Sequence, residues 1–120
     1  MRLHQFATTV TDPRARGRVI GTQFTPQLRD TSSRYLAHFE SLGISPTNVR
    51  DIAEESHEAL RGWCAGLAEE SDGIAEGAGL EPWQVAAVGA RTEVLAAAPV
   101  AECTTVVHVP PAGGPPVLAM

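Results

Sequence analysis

Between Ser45 and Leu67 the apolar positions recur at three- and four-residue steps: Val49, Ile52, Ala53, Ser56, Ala59, Leu60, Trp63 and Leu67. Arg50, Asp51, Glu54, Glu55, Glu58 and Arg61 fall on the opposite side. That period predicts an amphipathic helix with one buried stripe, started by Ser45-Pro46. A similar start stands at Thr11-Asp12-Pro13, with Asp12 as N-cap and Pro13 at the first helical position. The helix that follows carries Gly17 and Gly21 on one face, a sign that something approaches its backbone closely. Pro26 is expected to kink or break it. Leu28, Tyr35, Leu36 and Phe39 continue an apolar face to Leu42, and Gly43 suits a C′ position. Leu67 to Ala78 reads as a further helix ended by Gly77-Ala78-Gly79. Glu81-Pro82 opens another, with Val85, Val88, Thr92 and Leu95 on one stripe, running out at Ala98-Pro99.

The pattern changes after Pro99. Val100 to Glu102 reads as a linker, and Thr104 to Val109 is β-branched and strand-like. Pro110 to Pro116 is a loop that can be neither helix nor central strand, and Val117-Leu118-Ala119-Met120 looks like a partner strand. Arg2 to Ala7 could form one more short strand. The predicted class is therefore α+β: a helical segment over 1–102, then the first strands of a core over 103–120.

Composition narrows the functions. Apolar residues make up 43 % and charged residues 19 %, inside the globular range. The net charge of −5, with no basic cluster beyond Arg14, Arg16 and Arg18, argues against nucleic-acid binding. No apolar run approaches the roughly 20 residues of a membrane span, and the first ten residues lack a signal-peptide core. A cytoplasmic protein is expected, its two cysteines, Cys64 and Cys103, as free thiols, with one disulfide between them as the alternative. Cys64 reads as a small buried apolar residue beside Trp63. His4, His38, His57 and His108 share no metal-ligand spacing, so no metal is expected. His57 falls on the charged helix face, where solvent would hold it. Glu54, Glu55, Glu58, Glu69 and Glu70 read as a solvated face.

Cys103 is the chemically informative residue. It opens the run Cys103-Thr104-Thr105-Val106-Val107-His108, at the head of a strand-like segment. Its thiol could attack the carbonyl before it, and the freed residue would own both a nucleophile and an α-amino base with a pKa of roughly 7.7–8. His108, five residues on, would lie on the other face of an extended strand and form no dyad with it. The competing reading of Cys103 is a buried strand residue, since most cysteines are buried.

Four segments carry a resemblance: Pro13 with Gly17-x-x-x-Gly21, Gly73-Ile74-Ala75-Glu76-Gly77-Ala78, Ala90-Arg91-Thr92-Glu93, and Glu102-Cys103-Thr104-Thr105. Together they resemble the N-terminal third of the acyl-coenzyme A:6-aminopenicillanic acid acyltransferase (isopenicillin-N acyltransferase) family of N-terminal nucleophile hydrolases. The resemblance implies an αββα sandwich and a precursor that cleaves itself between Glu102 and Cys103. It further implies acyl transfer or amide hydrolysis through a thioester on Cys103. Arg91, Glu93, Thr104 and Thr105 are the candidate supporting residues. Arg91 and Glu93 are expected to anchor the last helix to the sheet, with lining of the acyl pocket as the alternative. No cofactor is required, and coenzyme A thioesters are acyl donors by resemblance. The partners implied are the remainder of the enzyme's own β-chain core and a small acyl or amide substrate, with self-association open. The family's Asn-Trp-Asp segment would follow Met120, so these residues alone are expected to be inactive. The competing expectation is a non-catalytic helical interaction module with an inert Cys103.

Overall fold

The computed structural model describes residues 3–99, 106–108, 110, 114 and 117–119. Among the described residues six helices carry the fold: α1 (Pro13–Gln23), α2 (Thr25–Ser41), α3 (Pro46–Trp63), α4 (Ala65–Ala78), α5 (Pro82–Gly89) and α6 (Arg91–Leu95). Local chemistry sets most of their ends. Asp12 Oδ2 accepts from the Ala15 N–H at 2.8 Å, and Ser45 Oγ from the Asn48 N–H at 3.2 Å. Each satisfies an amide that has no partner inside its helix. Pro13, Pro46 and Pro82 occupy first-turn positions, where a missing N–H costs nothing. Gly79 closes α4 at φ +67°, and the Leu80 N–H reaches back to the Ala75 carbonyl at 2.9 Å.

α1 lies along α4, backbone against backbone. A Cβ placed on Gly17 would sit closer than 3.0 Å to the Glu70 carbonyl oxygen and the Ile74 nitrogen. One on Gly73 would meet the Arg14 carbonyl in the same way, and Gly21 and Gly77 repeat the arrangement one turn on. The other helices close a core of Phe39, Ile44, Val49, Ala53, Ala86, Ala87 and Val94. Alanine-rich faces let α3, α4 and α5 come close, while Phe39 and Tyr35, with ring centroids 5.9 Å apart, fill the wider end.

Several expectations need correction. The α+β class does not stand, because the fold is helical. Two three-residue segments, β1 (Val106–His108) and β2 (Val117–Ala119), pair antiparallel, Val107 opposite Leu118. A ladder of that length is not a sheet layer, which needs three or more strands or a helix packed on it. The helices spend their apolar faces on one another, and the αββα sandwich with its closing hairpin is withdrawn with the class. The boundary drawn at 102/103 lies outside the described residues.

Residues 3–11 form no strand; Phe6 stacks edge-on against Phe24 instead, at 5.8 Å. The long stripe ending at Leu67 is cut at Cys64, whose φ of −148° and ψ of 88° break the helix. Around that break the stripe loses the core: Trp63, just before it, is 80 % exposed and Leu67, just after it, 47 %, with Cys64 only half-buried. The helix opened at Pro82 breaks likewise at Ala90.

Candidate functional site

A chain of opposite charges runs over α1, α3 and α4. Arg18 Nε donates to Glu76 at 2.6 Å, and Arg14 binds both Glu76 and, at 3.0 Å, Glu69. Arg61 Nη1 continues to Glu69 at 2.9 Å and Nη2 to Asp72 at 2.7 Å. Asp72 ends the run by accepting from His57 Nε2 at 2.8 Å. Helical spacing produces it: Glu69, Asp72 and Glu76 stand on one face of α4, His57 and Arg61 are four apart on α3, and Arg14 and Arg18 four apart on α1. The guanidinium hydrogen bonds of Arg14, then Arg18, push the Glu76 carboxyl down to about 2. Glu69 is lowered by Arg14 and then Arg61, and Arg61 is raised chiefly by its bond to Asp72.

His57 is therefore not solvated. Its side chain is 13 % exposed and that of Asp72 10 %. Glu69 and Glu70, read as solvated, are both paired, Glu70 with Arg16 Nε at 2.6 Å. The i, i+3, i+7 spacing of the α4 acids was visible in the sequence; which helix they faced was not.

His57 also stands on the wall of a half-open cavity of about 540 Å³ between α2, α3, α4 and α5. Leu28, Leu60, Ile74, Leu80, Val85 and Val88 line it, all only half-buried. Ser32, on the α2 side, is 3 % exposed, and its Oγ has no hydrogen-bond partner among the described residues. His57 also borders a smaller cleft of about 350 Å³ lined by Arg50, Glu81 and Trp83. There the Arg50 guanidinium lies 5.7 Å over the indole.

Of the residues predicted to carry chemistry, Glu102, Cys103, Thr104 and Thr105 lie outside the described residues. Arg91 and Glu93 are exposed on α6 and form no ion pair among the described residues. Arg91 Nη1 donates to the Val88 carbonyl at 3.2 Å, a local contact with the end of α5 and not an anchor to a sheet. Glu93 stands on the rim of the large cavity, so the structure does not bring the two together as a pair. Among the described residues no group of His, Cys, Asp or Glu is arranged to hold a metal, and no helix is long and apolar enough to cross a membrane. No family model, curated protein or solved structure matches the chain.

Proposed function

We propose that the chain is the helical N-terminal part of a cysteine amidase or acyltransferase that cuts itself before Cys103 and then works through a thioester on that residue. The observation that carries this reading is the meeting of two of the four family-like segments. Gly17-x-x-x-Gly21 and Gly73 to Gly77 are far apart in sequence, yet each supplies the glycines that the other's backbone needs. A third segment puts Glu93 at the mouth of an aliphatic cavity, ten residues before Cys103. The reading concerns the chemistry of Cys103 and makes no use of a sandwich fold.

In the self-cleavage, the Cys103 thiolate attacks the Glu102 carbonyl carbon and the C–N bond breaks. The nitrogen takes up a proton and becomes the Cys103 α-amine, while the acyl group moves to sulfur. Water then hydrolyses the thioester, leaving a Glu102 carboxylate and a free thiol. In turnover the same sulfur accepts an acyl group from an amide or thioester, the α-amine shuttling the proton. Acyl transfer to water is hydrolysis; transfer to an amine is amide formation.

The test is intact-mass measurement of the protein expressed from its complete reading frame. Two products splitting between Glu102 and Cys103, and none in Cys103→Ala, are expected. One uncut species in both proteins would overturn the reading.

A second reading, a non-catalytic helical module with an inert Cys103, draws support from two exposed apolar side chains, Trp63 and Leu67. It expects Cys103 to be alkylated no faster than Cys64, whereas the nucleophile reading expects a faster Cys103.

A further inference from the structure

α1 is held in place by different forces from the other helices. None of its side chains belongs to the apolar core, which α2, α3, α5 and α6 supply together with Ile44. The residues it buries are two glycines, Gly17 and Gly21, and Val19 is 40 % exposed. What remains is backbone contact with α4 and a set of ion pairs: Arg14 with Glu69 and Glu76, Arg16 with Glu70, and Arg18 with Glu76. The side chains in those pairs are between 25 % and 54 % exposed, so water and salt weaken each of them. Backbone contact without apolar side chains buries little hydrocarbon, and the hydrophobic contribution scales with that area.

The connection to α2 is equally slight. Phe24 alone separates the two helices, at φ −113° and ψ 26°. Pro26 has no N–H to give the Thr22 carbonyl, and Thr25 Oγ1 donates to that carbonyl instead at 3.2 Å. The helical ladder is interrupted there, and the first turn of α2 has its own proline. Residues 3–11, on the other side of α1, form no helix or strand. α4, by contrast, is tied elsewhere. Asp72 and Glu69 bond to α3 through His57 and Arg61, and Arg29 of α2 donates to the Ala78 and Gly79 carbonyls at 3.3 and 3.0 Å. An isolated helix of 11 residues is too short to persist in water. Without α4, α1 unfolds; without α1, α4 keeps its other partners.

We propose that α1 is a releasable strap: it leaves α4 and unfolds as a unit while α2 to α6 stay folded, and does so more often as ionic strength rises. Segments with few buried apolar contacts supply the low-stability end of a fold. Release changes the surface of α4, which contains no lysine or arginine, by leaving Glu70 and Glu76 without a cation among the described residues. The inference concerns the helices alone and is independent of Cys103.

Native-state hydrogen exchange of the full chain, followed by NMR at low urea, reads the release. Amides of Ile20 and Gly21 should exchange at least about tenfold faster than those of Ala53 on α3 and Ala87 on α5, and with a weaker urea dependence. Ala75, on α4, should follow Ala53 and Ala87. Raising NaCl from about 0.05 M to about 0.5 M should speed Ile20 and Gly21 roughly three- to tenfold.

Gly17→Leu supplies the second arm. Its side chain meets the Glu70 carbonyl and the Ile74 nitrogen, backbone atoms that cannot swing aside. The α1 amides should move to random-coil shifts, while α3 and α5 keep native shifts and protection. Gly62→Leu is the control, since a Cβ there meets nothing within 4 Å, and it should leave α1 native. Three exchange results overturn the proposal: one rate and urea dependence for Ile20 and Ala53, joint opening of Ile20 and Ala75, or α1 exchange indifferent to salt. A Gly17→Leu chain that unfolds throughout, or one that keeps α1 helical and protected, overturns it equally.

Discussion

Replacing Gly73 by alanine adds one methyl group to one of the closest backbone approaches between α1 and α4. In a helix interior that change is normally favourable by roughly 0.5–1 kcal/mol, because glycine loses more backbone entropy on folding. Here the new Cβ would lie within 3.0 Å of the Arg14 carbonyl group and the Arg18 amide nitrogen. These are backbone atoms of α1, which cannot swing aside as a flexible side chain can. The helices must separate, opening the rest of the α1–α4 seam. Overpacking of this kind costs about 1–3 kcal/mol, and rigid neighbours put the cost at the upper end. The net expectation is a loss of about 2 kcal/mol after the helix-propensity gain is subtracted.

Urea unfolding followed by circular dichroism at 222 nm reads this as a lower midpoint at unchanged slope. Gly62→Ala calibrates the propensity term, since a Cβ there touches nothing; it should raise stability by about 0.5–1 kcal/mol. Gly17→Ala with Gly73→Ala should cost less than the sum of the two, because one separation of α1 from α4 accommodates both methyls. A Gly73→Ala protein as stable as the parent would refute the close approach of the two helices, and with it the observation on which the proposed function rests.

Stability should fall as acid is added. The folded Glu76 carboxyl holds its proton off down to about 2, while an unfolded glutamate protonates near 4.5, so acid binds the unfolded chain first. The contribution is complete above about pH 5 and lost as pH falls towards 2; Glu76→Gln should flatten that slope, and 0.5 M salt should shrink it, since the Glu76 side chain is 39 % exposed. Urea midpoints at a series of pH values check both, and a Glu76→Gln profile identical to the parent's would exclude the pairing with Arg14 and Arg18. Asp72→Ala removes the partner of both His57 and Arg61 and leaves two donors without an acceptor; a loss of about 2–3 kcal/mol is expected from thermal unfolding, and an unchanged midpoint would mean the bonds contribute nothing.

Local signals in the chain were read well where a helix end depends on its own few residues. Asp12, Ser45 and Gly43 occupy the positions their chemistry prescribes, because caps and left-handed turns are decided within one helical turn. The glycines at 17 and 21 announced a close approach, but not its partner. The stripe from Val49 stops short of Leu67, since a period cannot report that the backbone turns at Cys64 or that Trp63, at the end of α3, faces solvent. His57 shows the same limit. It belongs to the charged side of α3 by spacing, and that side is covered by α4 with Asp72 waiting on it.

Periodicity and capping thus determined, without any coordinates, that most of this chain is helical and where three of its helices begin. They rest on neighbours within four residues, and those are written in the order of the chain. The docking of α1 on α4, the run of charges from Arg18 to His57 and the aliphatic cavity beside Ser32 were decided only when distant segments met. Each depends on which face of one helix covers which face of another, and that choice minimises the exposed surface of the whole molecule, not of any one segment. The helical class itself was settled at this level: the apolar stripes found one another, and the strand-like tail contributed no layer between them.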